Sequence, residues 1–281
     1  MHAVKTIRES ETTCNLPEAT PQEVMAARFY EDKFVPGLFK PWSPRVIAAA
    51  DIGAGHEVLD IACGSGVVTR DIAAVTGSQH APVGLDISPA MLTVARSLDA
   101  SIDWRCGDAC ELPFADARFD RVVCQFGLMF FSDRVKALQE MLRVLKPGGR
   151  LAVVVWNSLL DNPGFNDLVE VLGRMAGANA AAALQAPFCL GDSNELQALA
   201  VQAGVRQLDF QTLAGEASFS GMFDFVDVEL RGWLPVMNVN LDETQIRAIH
   251  QDCETSLARY QDGATGGFTL PTSAHVFSGT G

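Results

Sequence analysis

Val58-Leu59-Asp60-Ile61-Ala62-Cys63-Gly64-Ser65-Gly66 is an apolar run that ends in a short glycine-rich turn, and downstream Val83-Gly84-Leu85-Asp86 is a second apolar run that ends in an acid. The first run is too short and too β-branched for a helix and reads as a buried parallel strand. Gly64 and Gly66 let the backbone turn sharply and leave room for a ligand to touch it. Val67 to Val75 reads as a helix that Gly77 ends, with its N-terminus pointing into the crevice at the strand tips. Asp86, at the tip of the second strand, is placed to accept hydrogen bonds from ribose hydroxyls. An α/β chain prepares a nucleoside pocket in this way; an ordinary strand–turn–helix without a ligand is the plainer alternative.

A dinucleotide fingerprint needs Gly-x-Gly-x-x-Gly. Counting from Gly64 gives Gly64, Gly66 and then Thr69, so the glycine that allows close helix–strand packing over a pyrophosphate is missing. The pattern Asp60-x-Ala62-x-Gly64-x-Gly66 resembles instead motif I of the class I S-adenosylmethionine (SAM) methyltransferases, whose cofactor has no pyrophosphate. That family usually has glycine where Ala62 stands, and the form Ala-Cys-Gly-x-Gly resembles its ubiquinone/menaquinone-biosynthesis branch. The resemblance implies SAM as cofactor, with Asp60, Ala62, Gly64, Ser65, Gly66, Asp86, Ile87 and Met91 in its site.

A chain of 281 residues is long enough for a large core, and 48 % hydrophobic with 20 % charged residues is ordinary for a globular protein. No uninterrupted apolar run approaches the roughly 20 residues of a membrane-spanning helix. Residues 1–21 are polar, lack a signal-type apolar stretch and read as a disordered lead to a single domain over 22–281. The net charge of −13 and the lack of any basic block argue against a nucleic-acid surface. The seven cysteines, at 14, 63, 106, 110, 124, 189 and 253, are odd in number and irregularly placed, and read as reduced core residues of a cytoplasmic protein. Cys106-x-x-x-Cys110 has no matching Cys/His pair at zinc spacing, so no metal is expected.

The pattern predicts strands at 57–62, 82–86, 102–106, 119–126 and 150–156, with helices near 66–76, 89–98 and 133–145 between them. Ser88-Pro89 and Ser132-Asp133 cap two of these helices, and Lys146-Pro147-Gly148-Gly149 stops the last. Such alternation implies a doubly wound, mostly parallel sheet that binds ligands at the carboxyl ends of its strands. The third strand ends in Gly107-Asp108-Ala109, where an acid can accept from the exocyclic amine of adenine; alone, the acid reads more readily as an Asx-turn. With Leu112-Pro113-Phe114 it resembles the adenine motif of the same family. Gln125, at the fourth strand tip, completes the implied cofactor set.

Residues 56 to 157 as a whole are similar to small-molecule methyltransferases related to the ubiquinone/menaquinone C-methyltransferases. Gln125-Phe126-Gly127-Leu128 stands where enzymes acting on base or glutamine amines carry Asn/Asp-Pro-Pro-aromatic, which speaks against such acceptors. Beyond 157 the pattern predicts a helix at 165–177 that 178–186 extends or hinges, a capped helix at 193–203, a strand at 205–213 and a final strand at His275 to Ser278. Residues 221–236 are apolar-rich, and 243–260 have helical spacing. The resemblance implies an α/β, Rossmann-like, doubly wound seven-stranded sheet of order 3-2-1-4-5-7-6 with an antiparallel last strand. A helical insertion near 215–265 and an N-terminal helix at 22–45 then either cap the crevice or merely extend the core.

Methyl transfer from a sulfonium is an in-line displacement that asks for alignment and dryness, with a base only if the acceptor must lose a proton. Among the five histidines His250 is the one weak catalytic candidate, and a structural role suits it better. Tyr30, Trp42, Phe126, Phe130, Trp156 and Trp233 are candidates to line an acceptor pocket or to hold a sulfonium through cation–π contact, although each taken alone fits a core role. The reading is a SAM-dependent methyltransferase acting on carbon or oxygen of a small organic acceptor. The rivals are an NAD(P)-linked oxidoreductase, a non-catalytic SAM-binding partner protein, and an arsenite or thiol methyltransferase. The last needs accessible thiolates, whereas Cys63, Cys106 and Cys124 read as buried.

Overall fold

Seven strands form one sheet in the order expected, β3-β2-β1-β4-β5-β7-β6. They are β1 (Val58–Ile61), β2 (Val83–Asp86), β3 (Asp103–Cys106), β4 (Phe119–Gln125), β5 (Leu145–Trp156), β6 (Arg206–Phe219) and β7 (Phe268–Thr280). This computed structural model describes residues 18–77 and 79–281, so most of the lead expected at 1–21 lies outside the described residues. In the parallel half, Asp60 of β1 sits opposite Gly84 of β2 and Val123 of β4. Every residue of β1 and β2 is buried, as central strands of a parallel sheet must be. β7 runs antiparallel to both of its neighbours, β5 and β6.

Three strands, β5, β6 and β7, are longer than their sequence suggests; β7 already begins at Phe268 and not at His275. Lys146-Pro147-Gly148-Gly149 does stop a helix, yet it already belongs to β5, because Leu145 pairs with Phe119 before the register slips between Phe119 and Arg121. An irregularity of this kind accommodates Pro and Gly within a strand. β6 passes the expected end at 213 and stays in register with β7 as far as Phe219–Phe268. Its positions are mostly exposed, so the apolar alternation that marks a strand is faint. Gly215 lies in this extension because a Cβ there would stand 2.5 Å from the Trp42 indole. The helical insertion therefore begins after Phe219 and not at 215.

The N-terminal helix is more broken than expected over 22–45. A reciprocal cap between Thr20 and Glu23 starts the helix Pro21–Phe29. It continues as a π-helical stretch, Tyr30–Phe39, with Pro36 inside, and then as a short turn and the helix Ser43–Ala49. Proline removes a donor from the ladder and favours such departures. Gly177, at φ +88°, separates Pro163–Met175 from a distinct alanine-rich helix Ala178–Gln185. The insertion comprises Met222–Asp227, a second π-helical stretch Val228–Trp233, the turn Leu234–Val236 and Glu243–Ser256. The last of these is held by a capping box of Asp242 and Gln245. No helix among the described residues is long and apolar enough to cross a membrane.

The expectation of uniformly reduced cysteines needs correction. Cys63, Cys110, Cys124, Cys189 and Cys253 are free thiols, whereas Cys106 is disulfide-bonded. Cys106 ends the edge strand β3 and is only partly buried, so its sulfur is more accessible than those of the central strands. No cluster among the described residues is suited to a metal ion.

Candidate active site

A cavity of about 590 Å³ opens at the carboxyl ends of β1, β2 and β4, within the range of small-molecule sites. One end is bounded by Ala62, Gly64, Asp86, Ile87, Met91, Asp108 and Ala109, seven of the residues that the resemblance implies for the cofactor site. The other is bounded by Phe34, Phe126, Trp156, Phe165, Phe188 and Trp233. Among the described residues, no Lys, Arg or His lines the cavity.

The turn after β1 is built from left-handed backbone. Ala62 has φ 55°, Gly64 57° and Gly66 91°. A side chain resists this conformation, which explains why glycine is the usual residue at the place of Ala62. Gly64 and Gly66 are glycine for different reasons. Gly64 lines the cavity, and a Cβ on it would lie 3.8 Å from the Tyr30 ring. Gly66 does not line the cavity; a Cβ there would stand 2.2 Å from the Trp104 indole.

Asp86 holds the two turns together. One carboxylate oxygen accepts from the Gly64 N–H at 2.8 Å and the other from the Ser88 N–H at 2.8 Å. Its carboxyl lies above the usual carboxylate range because burial outweighs these two bonds. Each oxygen keeps a second lone pair for a ligand hydroxyl. Asp60, by contrast, is buried behind the turn and accepts from Thr69 Oγ1 at 2.6 Å. Burial, with a smaller contribution from Asp86, pushes it up to about 7 despite the Thr69 bond. Thr69 thus occupies the place of the missing third glycine and ties the helix to the strand. Ser65 also stays outside the cavity lining; its carbonyl accepts from Arg70, which is paired in turn with Glu31 of the N-terminal segment.

The Asp108 carboxylate accepts from the Cys110 N–H at 2.8 Å, so it forms an Asx-turn and also lines the cavity. The two alternatives read from sequence are therefore compatible. Gln125 donates to the Phe39 carbonyl at 3.1 Å and leaves its Oε1 buried without a partner. The Tyr30 ring stacks on Phe34 and Phe39, and burial, with Asp86 nearby, raises its hydroxyl pKa well above the ordinary value.

Five of the six expected aromatic residues, Tyr30, Phe126, Phe130, Trp156 and Trp233, line the cavity. Trp42 does not. It is 1 % exposed, packs edge-on behind Phe126 and Trp156, and is seated over Gly215. Phe126 and Trp156 stack at 3.9 Å and form a flat wall. His250 lies away from the cavity, 2.9 Å from the Asp227 carboxylate and beside Phe223. Its place on the outer helix of the insertion removes it as a catalytic candidate. Glu229 was not anticipated; it lines the cavity from Val228–Trp233 and is 3 % exposed. The sequence signal was available, since Glu229 is flanked by Val228 and Leu230 in an apolar run.

The donor set suits SAM. Bare backbone at Gly64, a carboxylate at Asp86 and the unpartnered Gln125 oxygen offer acceptors to hydroxyl and ammonium groups, and no described residue of the lining offers a cation to a pyrophosphate. A family model described as a methyltransferase domain matches residues 59–153. The chloroplastic 2-phytyl-1,4-beta-naphthoquinone methyltransferase of Arabidopsis thaliana is 32 % identical over 192 residues, which cover 66 % of this chain and 72 % of that one. The ubiquinone/menaquinone biosynthesis C-methyltransferase UbiE of Chromobacterium violaceum is 31 % identical over 224 residues, covering 75 % of this chain and 92 % of the relative.

The chain belongs to the class I SAM-dependent methyltransferases of the ubiquinone/menaquinone C-methyltransferase type. It is an enzyme of this class, and SAM is its cofactor. A solved methyltransferase shares the fold: the phosphoethanolamine N-methyltransferase 2 of Haemonchus contortus, in complex with phosphomonomethylethanolamine and S-adenosylhomocysteine. It matches with a TM-score of 0.56 at 17 % identity, over 92 % of this chain and 57 % of that chain. Nothing favours an oxidoreductase or a non-catalytic SAM-binding protein; of the three cysteines expected to be buried, Cys106 is only partly so and is disulfide-bonded. Cys63 and Cys124 are buried, and burial pushes the Cys124 thiol up to about 12.

Proposed function

We propose that this methyltransferase moves the methyl group of SAM to carbon or oxygen of a small, apolar acceptor of phenolic or quinone-like chemistry. The observation that carries the reading is the continuity of one cavity from the Gly64–Asp86 end to the aromatic wall of Phe126 and Trp156. The naphthoquinone methyltransferase named above supports a ring acceptor.

Asp86 would hold the ribose hydroxyls, Asp108 and Ala109 the adenine, and Gly64, Gln125 and Tyr30 the amino-acid end, with Ile87 and Met91 beside them. Asp60, Ser65 and Gly66 shape that seat from behind. When bound, SAM supplies an activated sulfonium methyl. The chain contributes alignment and dryness. Two π-helical stretches, Tyr30–Phe39 and Val228–Trp233, meet over the cavity, and a Cβ on Gly232 would stand 2.7 Å from Phe34. We read them as the cap of one domain that reaches to the C-terminal strand. A lining free of basic side chains and a net charge of −13 oppose nucleic-acid acceptors, and a cytoplasmic location belongs to the same reading.

Release of S-adenosylhomocysteine with 1,4-naphthohydroquinone, simple phenols, DNA, RNA and a protein mixture tests this. Turnover confined to the ring hydroxyl compounds is expected. Labelled methyl appearing in nucleic acid or protein above a Gly64→Val control would contradict it.

A further inference from the structure

Glu229 lines the cavity on the Val228–Trp233 stretch, with Gly232 and Trp233. It is 3 % exposed, and its carboxyl makes no hydrogen bond or ion pair with any described residue. Burying a carboxylate without a partner is costly, and such a group is retained where a ligand completes it. It projects from a π-helical stretch, an irregularity frequent at functional sites.

The charges of the packed elements are committed elsewhere. Lys33 faces Asp224, Arg231 is held by Asp227 and Glu243, His250 Nε2 lies 2.9 Å from Asp227, and Glu31 pairs with Arg70. Asp32 is exposed. Tyr30, Asp86, Asp108 and Glu23 share the cavity lining, but burial alone sets the state of Glu229 and pushes it up to about 8.

We propose that Glu229 is a catalytic residue that accepts the hydroxyl proton of a phenolic or hydroquinone acceptor; this rests on the acceptor class proposed above. The O–H bond breaks, its proton passes to the carboxylate, and its electron pair stays with the acceptor. That electron density forms the bond to the methyl carbon while the sulfur keeps the pair of the bond that breaks. In transfer to oxygen, the proton then leaves Glu229 for solvent. In transfer to a ring carbon, the ring proton goes to solvent and Glu229 returns its own to the oxygen. Either way one proton is released per methyl transferred.

The test measures turnover of 1,4-naphthohydroquinone under anaerobic conditions from pH 6 to 9.5 by wild type, Glu229→Gln and Glu229→Asp, with SAM affinity measured in parallel. Wild-type kcat should rise with pH and level off above about 8, since the ionised carboxylate is the base. Glu229→Gln should lose about a hundredfold or more in kcat, together with the pH-dependent limb. Glu229→Asp should restore part of both, and SAM affinity should stay within about twofold of wild type in both variants. Folding is checked independently. A group whose pKa is raised in the folded state weakens folding as it ionises, so at pH 9 Glu229→Gln should unfold no earlier than wild type. Wild-type kcat and pH dependence in Glu229→Gln would overturn the assignment of Glu229 alone. A wild type inert to every phenol and hydroquinone yet active on an amine would overturn the acceptor class, and the proton transfer with it.

Discussion

At the scale of single residues, Gly64 and Gly66 should fail in different ways when enlarged. Gly64→Val places a β-branched side chain at φ +57° on the cavity wall beside Tyr30, so SAM binding should be lost. Gly66→Val drives its Cβ into the Trp104 indole at φ +91°, which should cost about 1–3 kcal/mol in overpacking beyond the backbone strain. Urea unfolding separates the two, and a wild-type midpoint for Gly66→Val would show that Trp104 does not set that position. Asp86→Ala removes charge-assisted bonds, each on the order of 1.5–3 kcal/mol, so SAM affinity should fall roughly ten- to a hundredfold. Titration that finds wild-type affinity would remove Asp86 from the site. Motif I and the acid that ends the second apolar run pointed to residues of which Gly64 and Asp86 line the cavity. The motif did not separate Gly64 from Gly66, because their neighbours, Tyr30 and Trp104, come from distant parts of the chain.

At the scale of elements, the loop that carries Asp108 and Ala109 is fastened by a clamp on the helix Arg134–Val144. Glu140 accepts from the Leu112 N–H at 2.9 Å and from Arg143, which also donates to the carbonyls of Leu112 and Phe114. The Arg143 guanidinium, against a smaller opposing effect of burial and helped by the Leu112 N–H, holds the Glu140 carboxyl down at about 2. A depressed folded-state pKa stabilises above the unfolded value and loses that stabilisation as the pH falls through the folded one. Glu140→Gln should therefore cost about 1.5–3 kcal/mol at pH 7, and the difference from wild type should shrink between pH 4.5 and about 2. A difference that stays constant across that range would contradict the clamp. The insertion calls for a second experiment. Trp233 donates its ring N–H to the Ala183 carbonyl and packs against Phe130. If the insertion moves over the acceptor, amide exchange across 221–260 should slow on ligand binding more than across 133–150, and Trp233→Ala should impair acceptor use more than SAM affinity. Exchange at 221–260 that ignores ligand would make it a fixed part of the core.

Across the whole molecule, the core strands were legible because central parallel strands are apolar runs bounded by turns. The order 3-2-1-4-5-7-6 came from family resemblance and not from the pattern. What escaped had physical causes. β6 lies at the sheet edge with exposed side chains, so its last residues lack alternation. The π-helical stretches shift the helical period by one residue and carry no composition signal of their own. Trp42 and His250 bear attractive chemistry, but Trp42 packs behind the wall and His250 lies outside the cavity lining, beside Asp227 and Phe223. Glu229 was marked by its apolar neighbours Val228 and Leu230, but the run does not say which face meets the cavity. The central claim is that SAM occupies the Gly64–Asp86 end of the cavity with the acceptor against the Phe126–Trp156 wall. A crystal structure with S-adenosylhomocysteine tests it most directly. Ribose hydroxyls bonded to Asp86, adenine beside Asp108 and Ala109, and the sulfur turned toward Phe126 are expected; the cofactor product bound elsewhere, with the Asp86 carboxylate touching only Gly64 and Ser88, would contradict it.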